Sequence, residues 1–294
     1  MSAKIIDGKA ISQEIRDEVK ALTEKLKQER GITPGLAFIL VGNNPASEVY
    51  VRSKAKACGE LGFYSITEKM PEDTSQEKVL AKIDEFNRDN KIHGMLVQMP
   101  LPKQIDEFKV IEAILPSKDV DGFHPQNVGR LVIGQKSFVP CTPAGIQVLI
   151  LKSGIDISGK HCVVLGRSNI VGKPVANLLL QKKANANAVV TIAHTGAKDV
   201  SHYTKDADVL IAAMGQAETV KGNMLKPGCV VIDVGMNRIS DATAKNGYRL
   251  VGDVEFSSAK EIASAITPVP GGVGPMTIAM LMKNTYLAAA GEIY

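Results

Sequence analysis

Tyr50 and Lys54 stand four residues apart in Asn44-Pro45-Ala46-Ser47-Glu48-Val49-Tyr50-Val51-Arg52-Ser53-Lys54. This stretch reads as a helix with Asn44 as N-cap and Pro45 at the first helical position. The i, i+4 spacing puts a phenol and an amine on one face. The helix follows the apolar run Leu36 to Val41, and a helix leaving the carboxyl end of a parallel strand faces the crevice where α/β folds hold ligands. An amine there can move protons; it fits equally a solvated basic face shared with Arg52 and Lys56. Company separates the two readings. The run Ile92 to Val97 continues into Gln98-Met99-Pro100-Leu101-Pro102, delivering Gln98 to a second carboxyl end where its amide can hold the Lys54 amine. In Lys118-Asp119-Val120-Asp121-Gly122, Asp121 offers a carboxylate for a nitrogen-rich ring, and equally an Asx-turn residue before glycine.

A second constellation concerns phosphate. The strand-like Cys162-Val163-Val164-Leu165 enters Gly166-Arg167-Ser168-Asn169-Ile170-Val171-Gly172, and a helical stretch from Lys173 to Leu180 follows. Gly166 permits a tight turn, small Ser168 permits close approach to a pyrophosphate, Gly172 permits close helix packing, and a helix N-terminus presents N–H groups. A plain glycine-rich βα turn shares these features, but the order of strand, glycines, helix and further strands favours a dinucleotide. An NAD site places an acid after the next strand to hold the ribose 2′-hydroxyl. Here that place reads Ala193-His194-Thr195-Gly196. Arg167 is instead suited to a 2′-phosphate, since guanidinium matches phosphate geometry, so NADP is expected ahead of NAD.

Positioning these residues takes a parallel sheet. Runs at Leu36 to Val41, Ile92 to Val97, Cys162 to Leu165, Ala188 to Ile192, Val209 to Ala213 and Cys229 to Val234 alternate with amphipathic helical stretches. The expected domains are 1–140, joined by a terminal helix over 276–294, and 141–275. Pro116 to Gly134 is rich in Gly, Pro and Asn between them, and Thr142 and Pro143 read as N-cap and N1 of a bridging helix. Before the terminal helix, Thr267 to Pro275 combines stiff prolines with glycines that let backbone approach a ligand, or simply connects the domains.

Composition narrows the class. Over 294 residues, 45% apolar and 22% charged content is globular, which removes disordered and fibrous classes. No apolar run reaches the roughly 20 residues of a membrane span, and the first residues lack a signal-peptide core, so the cytoplasm is expected. The cysteines at 58, 141, 162 and 229 form no C-x-x-C pair and are expected as reduced thiols. The histidines lack ligand spacing, so no metal is expected. A net charge of +4 without a basic run argues against nucleic acid.

Taken together, Tyr50 to Lys54, Val97 to Pro102, Lys118 to Gly122, Gly166 to Ser168 and Pro268 to Thr277 closely resemble the bifunctional methylenetetrahydrofolate dehydrogenase/cyclohydrolase family, over nearly the whole chain. The resemblance implies an N-terminal α/β catalytic domain and a Rossmann-like NADP domain with an active-site cleft between them. It implies oxidation of 5,10-methylenetetrahydrofolate, hydrolysis of the methenyl product to 10-formyltetrahydrofolate, a homodimer, and a place in one-carbon metabolism and purine biosynthesis. It makes Lys54 the catalytic lysine, with Tyr50 orienting folate, Gln98 positioning Lys54 and Asp121 binding the pterin. Val97, Met99 and Pro270, Gly271, Gly272, Val273 and Gly274 would line the folate site. Gly166, Arg167, Ser168, Thr195 and the backbone of Met236 would hold the cofactor.

One departure concerns charge. After His194 the family commonly carries Ser-Arg/Lys-Thr-like residues, whereas this chain has Thr195-Gly196-Ala197, leaving Arg167 to meet the 2′-phosphate. In hydrolysis, a base must take a proton as water attacks the methenyl carbon. A free lysine titrates near ~10.4, and partial burial plus the substrate's positive charge favour its neutral form. A monofunctional dehydrogenase, another two-domain NADP dehydrogenase acting on shikimate-like acids, and a silent dinucleotide-binding module are the alternatives. The joint presence of Lys54, Gln98 and Asp121 argues against the last.

Overall fold

The computed structural model describes residues 2–244 and 247–294. Along the chain lie β1 (Lys4–Ile5), α1 (Gly8–Arg30), β2 (Gly35–Val41), α2 (Pro45–Glu60), β3 (Tyr64–Met70), α3 (Gln76–Arg88) and β4 (Gly94–Val97). Then come α4 (Glu107–Ala113), α5 (Pro125–Val132), α6 (Cys141–Lys152), β5 (His161–Leu165), α7 (Gly172–Leu179), β6 (Val189–Ala193), α8 (Ser201–Thr204) and β7 (Val209–Ala212). The last are β8 (Val230–Asp233), β9 (Asn237–Ser240), β10 (Tyr248–Val251), α9 (Phe256–Ala259), β11 (Ala265–Ile266) and α10 (Val273–Ala290). Among the described residues no helix is long and apolar enough to cross a membrane.

These elements form two compact units. Residues 13–141 and 278–294 make one, and residues 2–12 with 142–277 the other. The first, a three-stranded unit, carries a parallel sheet in the order β3-β2-β4. Central β2, Gly-Leu-Ala-Phe-Ile-Leu-Val, is buried at every position, as a strand covered on both faces must be. Val79, Ile83 and Phe86 of α3 and Val110 of α4 pack against Ala37, Ile39 and Val97 in its core. Edge strand β3, Tyr-Ser-Ile-Thr-Glu-Lys-Met, is polar and partly exposed, which is why no apolar run announces it.

The six-stranded unit holds a wholly parallel sheet in the order β1-β11-β8-β7-β5-β6. Strands β7 and β8 are buried throughout, whereas β6, at the edge, exposes Val189 and Ile192. From β5 the chain steps outward to β6, then returns to place β7 on the other flank of β5. That reversal opens a crevice at the carboxyl ends of β5 and β7. A separate antiparallel pair, β9 with β10, was not anticipated, nor were the two-residue strands β1 and β11.

Several boundaries shift. By contacts, residues 2–12 group with the six-stranded unit, because Lys4 and Ile5 pair with Ala265 and Ile266. Helix α6 begins at Cys141, so Thr142 lies inside its first turn and is not the N-cap; its hydroxyl bonds Thr277 Oγ1 at 2.8 Å. Helix α10 begins at Val273, three residues before the expected start. The α2 start is as expected: Asn44 Oδ1 accepts from Ala46 and Ser47 N–H, with Pro45 first in the helix.

Candidate active site and dinucleotide loop

In the three-stranded unit, α2 leaves β2 and carries Tyr50 and Lys54 along one face. Lys54 Nζ donates to Gln98 Oε1 at 3.2 Å, and both side chains are partly buried. Gln98 follows the end of β4, its backbone N–H donating to Ile39 O at 2.9 Å and its side-chain Nε2 to Met99 O at 2.8 Å. Committing Nε2 to a carbonyl turns Oε1 toward the lysine, so the amide is oriented for that task before any ligand arrives. Val97 is buried beneath, Met99 is half-buried, and the Met99-Pro100 bond is cis. Tyr50 is about half exposed.

The two readings of Asp121 part company here. The turn-capping acid is Asp119, whose carboxylate accepts from Phe123 N (3.2 Å), His124 N (2.8 Å) and Asn127 Nδ2 (2.8 Å). Burial pushes the Asp119 carboxyl up to about 7 against those donors. Among the described residues no backbone N–H donates to the Asp121 carboxyl; its Oδ1 lies 3.7 Å from Cys141 Sγ, which also approaches Val120 O at 3.5 Å. Asn284 Nδ2 donates to Val120 O (2.8 Å) and Val139 O (3.0 Å), fixing the backbone beside it. Burial raises the Asp121 carboxyl, opposed chiefly by the charge of Lys54. Amine, amide and carboxylate therefore form one electrostatic group, able to hold a polar ring and move a proton.

In the six-stranded unit the β5–α7 turn is built for close approach. Gly166 has φ +119°, and a Cβ there would stand 2.2 Å from Ala213 O; one on Gly172 would stand 2.3 Å from Gly166 O. Ser168 Oγ accepts from Val171 N and Gly172 N, both at 3.2 Å, so it closes the turn onto α7 instead of merely leaving room. Among the described residues the backbone N–H groups of Arg167, Ser168, Asn169 and Ile170 have no acceptor. The available donors thus lie in the loop and not in the helix's first turn. Such a row of unpaired N–H groups at a strand's carboxyl end is an oxyanion cradle. Arg167 is exposed within it.

Thr195 is exposed after β6, in a turn where His194 Nδ1 accepts from Gly196 N at 3.0 Å. Met236, 44% exposed, reaches the Gly274 backbone: a Cβ on Gly274 would lie 3.2 Å from Met236 Cε. Pro270 is exposed, whereas Gly271, Gly272 and Val273 are buried. Val273 and Gly274 open α10, so this stretch is loop only as far as Gly272.

Two family models match the chain: the catalytic domain of tetrahydrofolate dehydrogenase/cyclohydrolase over residues 6–121, and its NAD(P)-binding domain over residues 140–292. The chain is 57% identical to the "Bifunctional protein FolD" of Chlorobium chlorochromatii (strain CaD3), with 96% of each chain covered. The chain belongs to the tetrahydrofolate dehydrogenase/cyclohydrolase family. It is also similar to the solved bifunctional enzyme FolD-methylenetetrahydrofolate dehydrogenase/cyclohydrolase of Campylobacter jejuni (47% identity, 99% and 100% covered, TM-score 0.93). The Trypanosoma brucei methylenetetrahydrofolate dehydrogenase-cyclohydrolase, solved with NADP and an inhibitor, matches at 39% identity and TM-score 0.93, with 100% and 99% covered.

As a member of this family the chain is an oxidoreductase and hydrolase of folate one-carbon units. Sequence reading of this tetrahydrofolate dehydrogenase/cyclohydrolase missed the hydrogen-bonding roles of three polar residues beside its candidate sites. Asp119 was passed over for Asp121, and the Ser168 hydroxyl was read as mere smallness. Asp253 was not singled out at all, although Gly252-Asp253-Val254 has the acid-beside-glycine form that marked Asp121.

Proposed function

We propose that the chain oxidises 5,10-methylenetetrahydrofolate with NADP and hydrolyses the 5,10-methenyl product to 10-formyltetrahydrofolate, with Lys54 as catalytic base. The carrying observation is the Lys54–Gln98 hydrogen bond beside Asp121. A neutral lysine has two N–H donors and one lone pair. Giving an N–H to Gln98 Oε1 leaves the lone pair directed elsewhere, available to the water that adds to the methenyl carbon. Asp121 offers acceptors for pterin nitrogens, and Tyr50, on the same face of α2, orients the folate. Val97, Met99 and residues 270–274 are proposed as further folate contacts on the strength of the family resemblance.

The turn after β5 fits a dinucleotide: four N–H groups without an acceptor among the described residues, a glycine whose Cβ would strike Ala213 O, and an exposed guanidinium. Gly166, Arg167 and Ser168 would hold the pyrophosphate and 2′-phosphate, with Thr195 and Met236 as further contacts. NADP, when bound, accepts the hydride of the oxidation. The NADP-bound relative from Trypanosoma brucei supports this cofactor over NAD. A cytoplasmic homodimer supplying purine biosynthesis completes the proposal, supported by family resemblance.

The test is absorbance of purified protein with 5,10-methylenetetrahydrofolate and either NADP or NAD, following reduced cofactor and methenylfolate together. Reduced NADP with only transient methenylfolate is expected. Accumulating methenylfolate would leave a monofunctional dehydrogenase, and no turnover from folded protein would end the folate assignment.

A further inference from the structure

The crevice at the reversal between β5 and β7 has two walls. One is the 166–172 turn; the other is the segment 213–216 that leaves β7. They touch, since Ala213 N donates to Leu165 O at 2.8 Å and Ala213 O is the atom that excludes a Cβ from Gly166. The first wall has its own support in Ser168 and α7. The second has no helix behind it: α8 precedes β7, and the next helical turn is a short 3-10 segment, Gly222–Met224.

What holds it is one side chain. Asp253, fully buried, accepts from three successive backbone N–H groups: Met214 at 2.6 Å and Gly215 at 2.9 Å on Oδ2, and Gln216 at 2.8 Å on Oδ1. Asn237 Nδ2 donates to Oδ1 at 3.0 Å. Asp253 is itself fixed through its backbone, donating to Asp233 Oδ1 at 2.9 Å and accepting from Val220 N at 2.9 Å. A Cβ on Gly235 would stand 2.3 Å from Asp253 Oδ1, so the carboxylate is packed against backbone with no room to swing. A charged acceptor shared by four donors is far more than a surface turn needs.

We propose that Asp253 is a positioning residue for dinucleotide binding: it fixes the Met214–Gln216 backbone as the second wall of the crevice beside Gly166. This rests on the dinucleotide reading of the unit. Asp253 touches no ligand in this scheme and acts through the loop it holds. Turnover of a cofactor already seated therefore survives its loss better than cofactor affinity does.

Asp253→Asn tests it, because an amide turned either way sets its NH2 against two donors: Met214 and Gly215 N–H on one side, or Gln216 N–H and Asn237 Nδ2 on the other. In wild type and variant, one measures the KM for NADP, kcat at saturating NADP, and hydrolysis of added 5,10-methenyltetrahydrofolate, which needs no cofactor. The NADP KM is expected to rise about tenfold or more, with kcat and hydrolysis each within about threefold of wild type. An unchanged NADP KM overturns the proposal. Dehydrogenase and hydrolase falling together also overturns it, since that pattern marks a general packing role. Wild type that binds and turns over no NADP would instead bring down the dinucleotide reading, and this inference with it. If the Asn variant is insoluble, Asp253→Ser, which keeps one acceptor oxygen, is read by the same three quantities and the same limits.

Discussion

The three-stranded and six-stranded units put opposite parts of the polypeptide to work. In the first, the proposed chemistry rests on side chains: an amine, an amide and a carboxylate from α2, the end of β4 and the 118–122 turn. In the second the proposed binding rests on backbone: four N–H groups after β5 that have no acceptor among the described residues, a glycine that admits no Cβ, and carboxylates that accept from other backbone. Side-chain sites depend on which residue stands at a position. Backbone sites depend on conformation, so their determinants are glycines and buried capping groups remote in sequence from the atoms they serve.

The comparison breaks first at Lys54. Lys54→Met should cut methenyltetrahydrofolate hydrolysis by about 10²-fold or more, the usual share of a general base, while leaving NADP affinity unchanged. Normal hydrolysis in this variant would move the side-chain chemistry elsewhere. Arg167→Ala should raise the NADP KM about tenfold and leave hydrolysis intact, because an exposed guanidinium on phosphate contributes affinity and not alignment. Equal loss with NAD and NADP would show that Arg167 reads the pyrophosphate instead of the 2′-phosphate.

A smaller effect is expected from pH. Burial raises the Asp233 carboxyl from 3.8 to about 7, so the native state keeps a proton that the unfolded chain releases. The stability this adds is complete below pH 3.8 and is lost as pH rises through about 7. Between pH 5 and 8 the wild-type melting temperature should therefore fall more than that of Asp233→Asn, by on the order of several °C. Parallel curves would remove Asp233 from the pH response. The smallest effect is expected from thiol reagents. All four cysteines are buried, with Cys58 and Cys162 pushed up to about 12 and Cys229 to about 11, so labelling should follow unfolding and leave native activity unchanged.

The same contrast explains what could be read from the chain alone. Lys54 and Gln98 were legible because apolar runs mark where strands end, and a polar residue just beyond such an end has few other places to point. The strands β2, β4, β5, β7 and β8 were visible for the same reason. Asp119 and Asp121 were not separable, since choosing the capping acid takes Asn127 and the His124 N–H, which only the folded turn supplies. Asp253 stands beside a glycine as Asp121 does, but its task was invisible because its partners at 214–216 lie nearly forty residues upstream, with no periodicity to connect them. Strands β1 and β11 are two residues long, too short for any pattern.

Those two short strands carry a consequence for biosynthesis. Lys4 and Ile5 leave the ribosome long before their hydrogen-bonding partners, Ala265 and Ile266, are made. Until then β8 lacks its neighbour, and the nascent sheet offers an open parallel edge. Closure of that loop joins nearly the whole chain, the kind of non-local pairing that slows folding and exposes intermediates to aggregation. The three-stranded sheet, by contrast, has all its strands by residue 97. During translation the three-stranded sheet can form first, and the six-stranded sheet is completed only when β11 is made to meet β1.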